Sequence, residues 1–327
     1  PSTTLSAGQA MRIMTGAPVP DGADTVVQQE LCDTDDDHVI VNERPSQGRG
    51  AYIRRTGSYM RKGHGVLHAG DFISPGEVST LASFHMPVVD VVRRPTVAIV
   101  STGDELVDLG QEPGPGQIVN SNAYMLEALL RRWNALPIVF PIARDSESEI
   151  RGVFEEASEC ADIVVSSGGV SVGDFDFVKV VLDELTGGMN FWKVRLKPGK
   201  PLAFGTMRGE RPTPFIGLPG NPASSFVGFH LFVRPALAVA QGIAPELATA
   251  FSIRAHLGTP TRAARGRTSY LAGRLERHPS KLVFYPVPDQ SSGNPTLFCR
   301  SNGLAIIEPD AGTLPEGTPI DVILLDG

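Results

Sequence analysis

The stretch Val97-Ala98-Ile99-Val100, running straight into Ser101-Thr102-Gly103-Asp104-Glu105-Leu106, decides the fold. Four apolar residues in succession, three of them β-branched or flanked by β-branched neighbours, read as a strand buried on both faces. The small hydroxyls, the glycine and the two adjacent acids that follow then stand at the carboxyl edge of a sheet. In open α/β sheets, that edge is where ligands bind. The pattern recurs at 161–174, where A-D-I-V-V leads into S-S-G-G-V-S-V-G-D.

Working outward, 95–245 alternates strand and helix. Strand signals lie at 97–101, 137–142, 162–166, 191–196, 202–206 and 214–218, and helical patterns at 121–134, 147–159, 175–185 and 221–241. Strands separated by helices of about 10–15 residues predict a mainly parallel sheet in a three-layer α/β/α arrangement. Beyond 250 come five short alternating segments, 251–257, 268–275, 281–286, 303–307 and 319–325, which predict a small barrel-like β domain. Residues 1–60 read as a truncated β-rich domain, with strand-like pieces at 24–29 and 38–41 and an exposed turn at 33–37. Residues 61–94 read as a small α-β linker domain. In it, Ser74-Pro75 predicts a helix start, with Leu81 and Phe84 on the buried face.

At 327 residues the chain is long for a single core. Its net charge of −7 argues against binding a nucleic-acid backbone, and the arginine-rich stretches 49–62 and 262–274 read as solvated loops. No apolar run approaches the ~20 residues that would span a membrane. Cys32, Cys160 and Cys299 are few, scattered and form no CxxC pair, as expected of reduced thiols in a cytoplasmic protein.

Four segments carry chemistry. Asp104 and Glu105 offer carboxylates at a strand end, where one or two suffice to hold Mg²⁺ alongside substrate phosphate oxygens; a helix or turn cap is the plainer role. The loop Ser166 to Gly173 has little Cβ bulk and ends near a helix start, giving backbone donors for an anion. Asp174 and Asp176 flank that helix as caps or as metal ligands. Lys197-Pro198-Gly199-Lys200-Pro201 places two ammonium groups on a rigid turn, suited to a polyanion or to solvent. Gly217-Leu218-Pro219-Gly220-Asn221-Pro222 closes a strand with Asn221 as N-cap, and the helix amides behind it are a second place for a phosphate. No Ser-His-Asp series or nucleophilic cysteine can be placed, and the seven histidines show no ligand spacing.

Together, R-I-M-T-G-A-P-V-P at 12–20, S-T-G-D-E-L at 101–106, G-Q-I-V-N-S-N at 116–122, S-S-G-G-V-S-V-G-D-F-D at 166–176, K-P-G-K-P at 197–201 and G-L-P-G-N-P at 217–222 resemble the MoeA family of molybdopterin molybdenumtransferases, relatives of the gephyrin E domain. The resemblance covers essentially the whole chain, in family order. It implies a homodimeric enzyme of molybdenum cofactor biosynthesis that takes adenylated molybdopterin and molybdate, inserts the metal and releases AMP with Mg²⁺ assisting. It also allows contacts with other proteins of that biosynthesis.

Carried over by motif, Glu105, Asp145 and Asp176 are acidic site residues, with Glu105 and Asp176 on the metal. Lys197, Lys200 and Ser224 face molybdate or phosphate, with Arg267 and Ser292 as looser matches. The remaining pterin and nucleotide contacts fall to Ser101, Thr102, Gly103, Asp104, Asn122, Ser167, Gly168, Gly169, Ser171, Gly173, Pro198, Gly199, Pro219, Gly220 and Asn221. Two departures stand out. The family's N-terminal S-A-M-D-G-Y-A segment is absent, and Arg54-Arg55-Thr56-Gly57-Ser58-Tyr59 stands where the family reads roughly R-R-x-G-E-D, so Tyr59 replaces an acid. That substitution keeps in view a scaffold that binds pterin or nucleotide without turnover; a second alternative, a pterin adenylyltransferase resembling MogA, shares the 95–245 domain, but residues 1–90 and the β tail argue against it.

Overall fold

The structure is a computed structural model that describes residues 4–35, 37–169, 177–188, 191–249 and 251–325. It divides into two compact units, 1–68 and 69–327. In the first, β1 (Cys32–Thr34) pairs antiparallel with β2 (Val39–Val41). The Asp35 carboxylate closes the turn between them by accepting from the amides of Asp37 and His38. The strand expected at 24–29 does not form; residues 24–28 have no regular structure and lead into a short 3₁₀ segment, Gln29–Leu31.

The second unit opens with α1 (Pro75–Ser83). Ser74 accepts from the Gly76 amide while the Glu77 carboxylate accepts from the Ser74 amide, a capping box. The start is as expected but the buried face is not. α1 has no buried residue, Leu81 is half-buried, and Phe84 is 51% exposed.

The chain then enters the α/β layers. β3 (Thr96–Ser101) is followed by a short parallel pair, β4 (Leu106–Val107) with β5 (Ile118–Val119), and by α2 (Ser121–Arg132). Next come β6 (Leu136–Val139), α3 (Glu147–Cys160), β7 (Ile163–Ser167) and α4 (Phe177–Thr186). β8 (Phe191–Lys193), β9 (Leu196–Lys197), β10 (Pro201–Met207) and β11 (Thr213–Leu218) follow. A continuous helix, α5 (Pro222–Ala240), closes the domain and passes through a π segment at Phe229–Val233.

Six strands form one sheet in the order β6-β3-β7-β11-β10-β8, parallel from β6 to β11 and antiparallel beyond. Alternation along β3 explains the layering. Ala98 and Val100 face α3 and α4, packing with Phe154, Val181 and Leu182. Val97 and Ile99 face α2 and α5, packing with Leu126, Leu130, Phe229 and Val233. α5 spans 19 residues and is apolar enough to cross a membrane by length and composition, but half of it is buried in this core.

The single strand expected at 191–196 is two strands in two sheets. β8 belongs to the α/β sheet, whereas β9 joins the barrel. The barrel itself closes through β12 (Ser252–Leu257), β14 (Thr268–Arg277), β15 (Leu282–Pro286), β16 (Gly303–Ile307) and β18 (Pro319–Leu324), with β15 bonded to both β12 and β14. A small lateral pair, β13 (Thr261–Arg262) with β17 (Thr313–Leu314), completes it. The barrel packs on α5 through Ala223 and Val227 against Leu304 and Ile323, with Phe226 stacked on Phe298 at 3.8 Å. That contact brings barrel residues to the carboxyl edge of the sheet.

Candidate active-site cleft

Three parallel strands, β3, β7 and β11, end side by side, and their loops enclose a cleft of about 390 Å³. Its lining includes Thr102, Glu105, Asn122, Ser167, Gly168, Gly169, Pro201 and the turn Pro219 to Pro222. The β4–β5 pair carries the 116–122 segment back beside the 101–106 loop, with Ile118 N–H donating to the Glu105 carbonyl at 2.8 Å. Two-residue strands leave no periodic trace, so this pairing is not legible in the sequence.

The backbone approaches here are tight. At Gly103 (φ +138°) a Cβ would lie 2.3 Å from the Glu105 carboxylate, which folds back over the glycine. At Gly169 (φ +64°) a Cβ would meet Val178 at 2.4 Å and the Thr102 hydroxyl at 2.7 Å. Both positions therefore require glycine.

Beside the cleft, Asp104 and Asp145 are joined reciprocally. The Asp104 amide donates to the Asp145 carboxylate at 3.4 Å, and the Asp145 amide to the Asp104 carboxylate at 3.2 Å. Arg144 donates to the carbonyls of Asp104 and Leu106 at 3.4 and 3.0 Å, gripping the chain on either side of Glu105. All three acids are exposed. Among the described residues no three His, Cys, Asp or Glu side chains gather as a metal cage. Mg²⁺ does not need one: it is commonly held by one or two carboxylates plus substrate phosphates, which Glu105 at the cleft wall fits. Ser171, Gly173 and Asp176 lie outside the described residues.

Asn122 is the connection that sequence reasoning did not supply. Its side-chain amide donates to Ser167 Oγ at 2.8 Å and to the Gly220 carbonyl at 2.7 Å, tying the ends of β7 and β11 together. A carbonyl only accepts, so Gly220 fixes which end of the amide is nitrogen. Asn120 caps α2, accepting from the Ala123 amide, and Ser101 Oγ donates to the same carbonyl oxygen of Asn120 at 3.3 Å.

Asn221 occupies the N-cap position of α5, as expected, but its side chain does not cap the helix. It donates instead to Ser292 Oγ at 3.3 Å, and the Ser292 carbonyl takes the Ala223 amide at 3.1 Å. With Pro222 lacking an N–H, this helix start has fewer free donors for a phosphate than its sequence promised. Ser292 is nonetheless held beside Asn221 of the cleft lining, and Ser224 is buried.

The lysine turn stands at the edge of the barrel. Val194 N–H donates to the Lys200 carbonyl at 3.0 Å, closing the loop, and Lys197 and Lys200 are both exposed. β9 pairs in parallel with β14, Thr268 opposite Leu196 and Ser269 opposite Lys197, so Arg267 is delivered next to this turn. Gly199 (φ +106°) packs where a Cβ would stand 2.9 Å from Leu196. In the first unit, Tyr59 is 79% exposed and its hydroxyl accepts from Arg54, whose guanidinium also lies 5.0 Å from the ring centroid.

Comparison with known proteins places the sequence and the fold. Residues 1–84 match the MoeA N-terminal region (domain I and II), residues 98–239 a probable molybdopterin binding domain, and residues 254–325 the MoeA C-terminal region (domain IV). The chain is 38% identical to a molybdopterin molybdenumtransferase of Nostoc sp., over 99% of this chain and 74% of that protein. It is 35% identical to the Haemophilus influenzae protein of that name, over 96% of this chain and 76% of the relative. The crystal structure of a molybdopterin biosynthesis MoeA protein from Pyrococcus horikoshii OT3 superposes with a TM-score of 0.81 at 26% identity, covering 99% of this chain and 77% of that one. On sequence, domain order and fold, the chain belongs to the MoeA family of molybdopterin molybdenumtransferases.

Proposed function

We propose that this chain inserts molybdate into adenylated molybdopterin with release of AMP, Mg²⁺ assisting, and that it works as a homodimer. The observation that carries the reading is the convergence of four separate motifs, at 101–106, 116–122, 166–169 and 217–222, on one cleft that ends near a turn rich in cations.

The roles follow from the chemistry of each group. Gly168 and Gly169 bring backbone close to a ligand without side-chain bulk, and the ends of β7 and β11 hold its ring. Lys197, Lys200 and Arg267 neutralise molybdate or phosphate oxygens. Glu105, steadied by the Arg144 bonds on either side, orients the phosphate end and would hold Mg²⁺ with Asp176; Asp145 keeps the neighbouring loop in place. When bound, the metal would offset charge developing on the departing phosphate.

The test is AMP release from adenylated molybdopterin by Glu105→Gln. The reading requires loss of about 100-fold or more in rate with pterin binding retained; a rate equal to the wild type removes Glu105 from the site. A second reading, binding without turnover, is favoured by one observation, the Tyr59–Arg54 contact where the family carries an acid. It expects tight pterin binding and no AMP.

A further inference from the structure

We infer that Arg195, which lies outside every family motif quoted above, is a binding residue for the oxyanion substrate; this rests on the molybdate-inserting reading of the same site. Arg195 and Lys197 flank Leu196, which is only 6% exposed, and both stand exposed on its two sides. Arg195 sits on the bend between β8 and β9, two residues before Lys197 at the end of β9. The Arg195 carbonyl accepts from Thr268 N–H at 3.0 Å, which seats Arg267, the residue before Thr268, against it. The Val194 to Lys200 bond closes the same loop and returns Lys200 to its neck. The backbone thus brings Arg195, Lys197, Lys200 and Arg267 to one place in the chain path between the α/β sheet and the barrel.

Among the described residues none of these four forms an ion pair. The carboxylate of Asp310, on the barrel segment opposite, is engaged by the Gly266 amide through both oxygens at 3.2 Å. Cations that no ion pair among the described residues neutralises repel one another, and a doubly charged oxyanion relieves that repulsion. The guanidinium of Arg195 adds a planar, two-pronged donor that the lysines lack, suited to neighbouring oxygens of a tetrahedral anion. The alternative role for an exposed arginine, a solvated side chain, predicts no effect on anion binding.

The experiment is calorimetric titration of the full chain with molybdate, and separately with sulfate, comparing wild type, Arg195→Gln and Arg195→Lys. Arg195→Gln is expected to weaken molybdate binding roughly tenfold or more, with a shallower dependence on salt. Arg195→Lys should recover most of the salt dependence but only part of the affinity, which a change in folding alone would not produce. Wild-type molybdate affinity in Arg195→Gln overturns the inference and leaves the proposed function standing. A wild-type chain that binds neither anion overturns both.

Discussion

The side-chain amide of Asn122 donates to the carbonyl of Gly220 at 2.7 Å across 98 residues of sequence. Its second donor goes to Ser167 Oγ, so one buried amide holds the last residues of β7 against the turn after β11. Gly168 and Gly220 are close enough that a Cβ on Gly220 would stand 3.7 Å from the Gly168 Cα. Asn122→Asp keeps the shape but faces the Gly220 carbonyl with another acceptor. Ser167 can turn its hydroxyl to donate to the carboxylate, so the bond to the Gly220 carbonyl is the one lost, which should cost about 1–3 kcal/mol of stability and weaken pterin or nucleotide binding. Denaturant unfolding and ligand titration check both, and an unchanged affinity would contradict the bracing role.

Gly169 is the second point at which the cleft depends on close approach. Gly169→Ala places a methyl 2.4 Å from Val178 Cγ2 at a φ of +64°. The combined strain and overlap should cost about 1–3 kcal/mol, and ligand affinity should fall with it. A variant with wild-type melting temperature and affinity would show that the loop has room to spare.

Asp162 clamps the start of β7. Its carboxylate accepts two bonds from Arg93 at 2.5 Å, one from Arg211 at 2.9 Å and one from the Thr96 amide at 2.8 Å. The Arg93 bonds, with the Thr96 amide and the two guanidinium charges behind them, hold its pKa at about 2, below the ordinary 3.8. The stabilisation is therefore full above about pH 4 and disappears as the pH falls toward 2. Both arginines are largely exposed, so Asp162→Asn should remove about 1–2 kcal/mol at neutral pH. Urea unfolding at pH 7 and pH 2.5 tests the sign: the gap between variant and wild type should shrink at the lower pH.

His230 acts in the same direction for a different reason. It is fully enclosed in the π segment of α5, 4.8 Å from the Phe226 ring, and neither ring nitrogen has a hydrogen-bond partner. Burial, then the charges of Arg234 and Arg132, push its pKa down to about 3. The unfolded chain takes up this proton near pH 6.5 and the folded one does not, so stability falls as the pH drops through that interval. His230→Leu should flatten the loss between pH 6.5 and pH 3, by up to a few kcal/mol. An acid limb identical to wild type would show that other groups set it.

The parts of the fold that long periodic segments specify were legible in the sequence. β3, β7 and β11 are strands of five or six residues built around short apolar runs, and the helices between them have one wet face, so the layered sheet could be read directly. The barrel strands alternate cleanly for the same reason. What escaped were features set by tertiary contact. The run 191–196 has no breaker, yet β8 and β9 part because the barrel recruits Leu196 and Lys197. Phe84 was placed inward by helical spacing and stands half-exposed. In the site, glycines and acids announced themselves by residue type. The bracing of Asn122 and the position of Arg195 depend on partners 45 or more residues away, which no local pattern encodes.

Turnover is decided by incubating the full chain with adenylated molybdopterin, molybdate and Mg²⁺ while following AMP and the activation of a molybdoenzyme apoprotein. AMP release that depends on molybdate and yields active cofactor is expected, with Tyr59 a tolerated replacement. Tight pterin binding with neither AMP nor active cofactor would contradict it.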